Sequence, residues 1–378
     1  MAQIPGMQQL HIQQPPRPSG QYLHWLRTQA VAAHQRRQQQ QQAATRAREL
    51  SLQPTQHPPR TMGIAYDDLP VEDASDHDFW FNPKPAHLAP YESACNQSDL
   101  AAVQSIVTDD RRTSAFLHYG LTLALRSGHV GVVRYLLDVG APIVRQTPRE
   151  ILSAPSDQQL ALFESLADHG WTPNAPGNYG SVLLPNVITN SPVLHWFLDH
   201  GADPNLGEQH DNRDRHGGSD TDKCDALEYA ARSADPETVR MLLDAGAQIQ
   251  YGTPLHSAAG VCPPGSNPYE GPIVPSKDFD TGRIPVMKLL VERGADVNQY
   301  KETRYMVPRY AIVYAVLAGA VERARWLLEQ GADPEAGGPI GSAVGYARRM
   351  GSEEMKQVLA EGVAARRWVN DVEAEGQC

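Results

Sequence analysis

The stretch Asp225–Ala259, DALEYAARSADPETVRMLLDAGAQIQYGTPLHSAA, restricts the possible folds of this chain more than any other feature. Leu227, Ala230 and Ala231 place one apolar side on a short helix. A break at Ser233-Ala234-Asp235 follows, and Pro236 stands in the first turn of a second helix, where its missing N–H removes no intrahelical bond. Val239, Leu242 and Leu243 give that helix an apolar stripe, and Gly246 supplies the left-handed residue that ends it. At Gly252-Thr253-Pro254-Leu255-His256 the pattern restarts. Two helices of this size cannot bury both faces alone, so the unit requires copies of itself on each side.

Copies are present. With Leu255 as anchor, equivalent positions are Tyr91, Leu121, Ile151, Leu183, Leu227, Ile312 and Val344, and successive anchors lie 30, 30, 32, 44, 28, 57 and 32 residues apart. Helix ends repeat independently at Gly140-Ala141, Gly201-Ala202, Gly246-Ala247, Gly294-Ala295 and Gly331-Ala332, with Gly170-Trp171 as a variant. TPLHSAA at Thr253–Ala259 together with LLDAGA at Leu242–Ala247 is the signature of ankyrin repeats, and residues 90–363 resemble an ankyrin-repeat array. The resemblance implies an all-α solenoid of about eight helix-turn-helix units. It also implies a concave face of finger loops and inner helices that binds protein.

Around the array the composition changes. Residues 1–65 hold seven arginines and one acid, Glu49, a net +6, so the rest of the chain carries −17 of the total −11. This arm is glutamine-rich and predicted to be disordered, with a transient helix over Gly20–Leu52. Residues 66–89 form an acidic, aromatic linker. Its Phe79-Trp80-Phe81 either stays solvated as a docking segment or folds back to cover the first repeat. Two insertions lengthen the repeat spacing. Leu206–Lys223 (206–223) is polar and aperiodic and reads as a mobile loop whose removal leaves melting nearly unchanged, because loop length enters stability logarithmically. Val261–Arg283 (261–283) contains five prolines, which argue against helix. Residues 364–378 are expected to fray.

Several functions are disfavoured. Cys95, Cys224, Cys262 and Cys378 form no CxxC pair, which favours a reducing compartment over a disulfide or zinc framework. The longest apolar run, Ala311–Val321, is about half of what a bilayer needs. The acidic repeats are unsuited to nucleic acid, so no direct nucleic acid binding by the repeats is expected. His118, His129, His195 and His256 belong to no Ser/His/Asp, HExxH or phosphate-loop pattern. The expectation is therefore no catalytic residue, no metal, no cofactor and no small-molecule substrate: the chain is not an enzyme.

Recognition remains. Counting from each anchor, positions expected on the binding face are Arg145, Gln146, Asn178, Tyr179, Gln250, Tyr251, Met306 and Arg309, with Arg126 and Arg232 after the paired small residues. Arginine, tyrosine and methionine are enriched in interface cores. The acidic surround suggests a peptide-like partner with some basic charge. The short, proline-punctuated repeats resemble divergent ankyrin-repeat proteins of filamentous fungi, some of them transcriptional co-regulators of secondary metabolism. That resemblance implies a transcription factor as partner and an intracellular location, the nucleus ahead of the cytoplasm. The alternative is a cytosolic scaffold or substrate adaptor in a degradation or signalling complex.

Overall fold

The computed structural model describes Leu69 and residues 72–375. The arm at 1–65 and the helix expected at Gly20–Leu52 lie outside the described residues. Within them the chain is an all-α, ankyrin-type solenoid of eight helical hairpins, with no strand beyond two isolated bridges. The first two hairpins are α1 (Ala89–Asn96) with α2 (Leu100–Thr108), and α3 (Ser114–Ser127) with α4 (Val130–Asp138). In the third, a 3-10 turn over Thr147–Ser153 replaces the first helix and pairs with α5 (Gln159–Asp168). Then follow α6 (Leu184–Val187) with α7 (Ser191–Asp199), and α8 (Asp225–Ser233) with α9 (Pro236–Asp244). The sixth pairs α10 (Pro254–Ala259) with α12 (Ile284–Glu292), and α11 (Lys277–Thr281) lies in the insertion between them. Last come α13 (Ala311–Leu317) with α14 (Val321–Glu329), and α15 (Ala343–Met350) with α16 (Glu353–Glu375).

The first elements bury a shared pattern. The anchor and the residues three and four positions on are buried in Tyr91/Ala94/Cys95, Leu121/Ala124/Leu125, Leu227/Ala230/Ala231, Leu255/Ala258/Ala259 and Ile312/Ala315/Val316. In two hairpins the register differs from the sequence reading. Leu184, Val187 and Ile188 are buried while Leu183 is half-buried, and Ala343 with Ala347 is buried while Val344 is half-buried. Either neighbour satisfies a helical stripe, and packing against the adjacent hairpin selects one.

Six of the second helices end alike. Gly140, Gly170, Gly201, Gly246, Gly294 and Gly331 all have φ between 76° and 106°. The next residue donates back five positions, as in Ala247 N to Leu242 O at 2.9 Å, closing the C-terminal turn. Four residues beyond three of these glycines an asparagine joins neighbouring loops. Asn205 Nδ2 donates to Gly246 O at 3.1 Å and its Oδ1 accepts from Gln248 N at 2.8 Å. Asn174 and Asn298 bond the loops after Gly201 and Gly331 in the same way.

At the N-terminal end the aromatic segment folds back. A 3-10 helix over Ala74–Trp80 carries Phe79 to 5.1 Å from the Tyr119 ring. Glu72 Oε1 accepts from Ser114 N at 2.9 Å, and Thr113 Oγ1 donates to buried Asp76 at 2.6 Å, so this segment caps the start of α3. At the other end α16 runs on to Glu375, where fraying was expected. Residues 353–375 contain no proline and a single glycine, so nothing in the sequence breaks the helix.

Neither insertion is loose. Leu206–Lys223 closes as a hairpin through the Gly207–Asp220 bridge, and Tyr179 N donates to Arg215 O at 2.9 Å. In Val261–Arg283 the prolines end at Pro275. Ser276 then caps Phe279 N at 3.2 Å, and the short α11 forms where helix was not expected.

Candidate functional site

Two residues past their buried anchors, Tyr229, Ser257 and Tyr314 occupy equivalent places on α8, α10 and α13. None is buried, so they make a row across three successive first helices, a small residue between two tyrosines. Arg232, one turn beyond Glu228, extends the row along α8. Burial pushes the Tyr314 hydroxyl up to about 12, with Tyr269 and Glu228 adding to the rise and Arg309 and Arg232 opposing it. Tyr269 stands exposed in the second insertion, within the same sixth unit as Ser257.

The finger between α12 and α13 supplies the next wall. Tyr300 stands edge-on to Tyr310 at 5.6 Å, and Lys301 Nζ lies 5.9 Å from the Tyr314 ring centroid. Arg304 lies over Tyr305 at 5.3 Å. The finger keeps its shape because Arg309 is buried inside it, donating to Lys301 O at 3.0 Å and Tyr305 O at 3.2 Å. Tyr229, Tyr251, Tyr269, Tyr300, Tyr305 and Met306 are between 39% and 71% exposed, which concentrates large apolar surface on the fifth to seventh units.

The positions chosen by offset separate into two groups. Arg232, Gln250, Tyr251 and Met306 are exposed on or beside this stripe, and Tyr179 and Arg126 are exposed in earlier units. Gln146 and Asn178 are half-buried. Arg126 pairs with Glu150. Two positions are not displayed as expected. Arg309 is buried in its finger. Arg145 is half-buried and donates to Gly177 O at 3.2 Å, Gly217 O at 3.1 Å and His216 O. A guanidinium offers several donors in a plane, and main-chain carbonyls of folded loops are acceptors it satisfies. Tyr229, Tyr269, Tyr300, Tyr305 and Tyr314 are not among the positions that the offset selects. Tyr314 could have been found from its register with Tyr229, whereas nothing local places Tyr269.

Of the four histidines singled out, His129, His195 and His256 hold backbone and His118 a side-chain hydroxyl. His256 shares a hydrogen bond with Arg309 O at 3.0 Å, and burial pushes it down to about 4. His118 meets Thr147 Oγ1 at 3.0 Å, and burial likewise lowers it to about 4. His129 bonds Asn96 O at 2.8 Å, linking the first two units. His195 bonds Ser191 O one turn back at 2.8 Å. In the first insertion His210, Asp220 and Asp222 come together, their ligating atoms within 4.8 Å of one another. His210 Nδ1 lies 2.6 Å from Asp220 Oδ2, which makes this cluster a hydrogen-bonded closure of the hairpin.

No helix among the described residues is long and apolar enough to cross a membrane. No protein-family model matches the chain, and no curated protein matches it. Among solved structures, the human ASB11 ankyrin repeat domain is similar at 20% identity, covering 72% of this chain and 97% of that one, with a TM-score of 0.37. The ankyrin repeat domain of Bcl-3, a member of the IkappaB protein family, is similar at 19% identity over 72% of this chain and 97% of that one, with a TM-score of 0.35.

Proposed function

We propose that this chain is a non-enzymatic protein-interaction scaffold that holds a partner along the first-helix face of its fifth to seventh units. The observation that carries this reading is the exposed stripe of Tyr229, Tyr251, Tyr269, Tyr300, Tyr305 and Met306 on those units. Tyrosines give large contact area at low conformational cost, and arginine and tyrosine dominate interface energetics. Arg232, Gln250, Tyr251 and Met306 belong to this surface, and Arg126, Gln146, Asn178 and Tyr179 extend it toward the earlier units.

The partner in this reading is a transcription factor, and the chain a transcriptional co-regulator. The glutamine-rich, basic arm at 1–65 supports that assignment. Proximity labelling from the intact chain tests the scaffold. Neighbours labelled by the native chain should be lost from Tyr229→Ala/Tyr251→Ala/Tyr269→Ala, and an unchanged set removes the surface from consideration. Nuclear accumulation that depends on residues 1–65 is expected. Enrichment of ligase subunits with a strictly cytosolic signal would replace the co-regulator with a degradation adaptor.

A further inference from the structure

Charge on the two sides of the fifth to seventh units is organised differently. On the second-helix side, cations meet carboxylates. Arg240 pairs with Glu237, Arg293 meets Asp244 at 2.8 Å, Lys288 meets Glu292 at 3.8 Å, and Arg325 meets Glu322 at 3.5 Å. On the first-helix side, Arg232, Lys301 and Arg304 have no carboxylate within ion-pair distance among the described residues. Lys301 and Arg304 lie against tyrosine rings instead. Glu228, one turn before Arg232, is already engaged: its Oε1 accepts from Thr253 N at 2.5 Å and from Thr253 Oγ1 at 3.1 Å. Glu302 and Glu270 are the exposed acids beside the stripe, and Glu270 accepts from Asn267 at 2.8 Å.

We infer that the stripe takes an extended, acidic segment of a partner protein. Its carboxylates sit on Arg232, Lys301 and Arg304, and an apolar side chain enters between Tyr229 and Tyr314 over Ser257. This rests on the scaffold reading above and specifies its occupant. Cations left without carboxylates on an otherwise acidic body are complementary to a chain of opposite sign. The same body repels acidic proteins elsewhere on its surface, so binding is confined to the stripe. The tyrosines give the segment flat apolar faces with hydroxyls at their edges, suited to an extended backbone whose carbonyls need donors. The basic partner suggested by overall charge therefore gives way to an acidic one, because local unpaired charge governs a contact at this range.

A peptide-display library of extended sequences, selected on the intact chain and in parallel on Arg232→Glu/Lys301→Glu/Arg304→Glu, tests the assignment. The native chain should enrich sequences rich in Asp and Glu, and the reversed chain sequences rich in Lys and Arg. A peptide selected by the native chain should weaken with added salt. It should also lose about tenfold in affinity on Tyr229→Ala, the equivalent of about 1.4 kcal/mol. Tyr229 is exposed, so the melting temperature of that variant should not move. Uncharged or basic sequences from the native chain, acidic binders that survive charge reversal, or no binders at all each overturn the inference. If such a result accompanies proximity labelling that still responds to the tyrosine variants, the surface stands and only its occupant is wrong. If the labelling does not respond, the scaffold reading fails as well.

Discussion

The two insertions both read as loops in the sequence, and they are held by opposite means. Leu206–Lys223 is tied by hydrogen bonds near solvent: Arg145 to carbonyls, Gln209 N to Tyr179 O at 2.9 Å, and Ser219 Oγ to Gly180 O at 2.5 Å. Val261–Arg283 is tied through the core. Asp280 Oδ1 accepts from Arg323 Nε at 2.9 Å and Oδ2 from Glu322 N at 2.7 Å, with Arg323 wholly buried. Asp280 thus caps α14 from a distant point in the chain, where α14's own preceding residue, Ala320, has no side chain able to do so. Each insertion lies against a glycine. A Cβ on Gly180 would sit 2.4 Å from Gly218 O, and one on Gly319 1.8 Å from Ile273 O. One insertion is a surface clasp and the other a buried wedge, so a long polar or proline-rich stretch in a repeat is not evidence of slack.

Breaking the wedge should cost most. Asp280→Ala leaves Arg323 buried without its carboxylate and removes the cap, which should lower unfolding free energy by about 3–5 kcal/mol in urea titration. A loss below about 1 kcal/mol would show that the ion pair adds nothing to the wedge. Gly246→Val, at a regular helix end touched by neither insertion, sets the scale between the two. Its φ of +96° with no heavy atom near a new Cβ makes the cost one of backbone conformation alone, about 1–3 kcal/mol by thermal melting. Arg145→Ala should fall lower, at about 1–2 kcal/mol, because water replaces part of what the guanidinium supplied. Its signature is local: amide exchange at Tyr179 and Gln209 should accelerate. Cutting out Leu206–Lys223 should speed exchange at the same finger, contrary to the indifference expected of a free loop.

What was legible follows from distance along the chain. Leu227 with Ala230 and Ala231, and Gly246 with Ala247, state the hairpin within a few residues, and the fold follows. The anchor slipped by one at Leu183-Leu184 and at Ala343-Val344, where adjacent residues fit the stripe equally. The asparagine ties at 174, 205 and 298 were readable, since each follows its glycine at a fixed offset. Docking of the insertions was not, because Arg323 meets Asp280 across 43 residues and Arg145 meets Gly217 across 72. The same limit applies to the stripe. Arg232 and Tyr251 can be placed by offset, but a finger that swallows Arg309 and an insertion that carries Tyr269 cannot.

The smallest effect should come from the clasp's own closure, and it carries a pH sign that the wedge does not share. The hydrogen bond from His210, first through its ring and then through its backbone N–H, holds the Asp220 carboxyl below its usual range. A lowered folded pKa stabilises the clasp above the ordinary Asp value of about 3.9, and the contribution disappears as pH falls through the lowered value. Both side chains are partly exposed, so Asp220→Asn should cost under about 1 kcal/mol. Amide exchange at His210, whose N–H donates to Asp220 at 2.8 Å, should rise in that variant at neutral pH. In the native chain it should lose its protection relative to intrinsic exchange only in acid. Equal protection of His210 in both proteins across that range would mean that the Gly207–Asp220 bridge alone closes the hairpin, and the clasp would then owe nothing to charge.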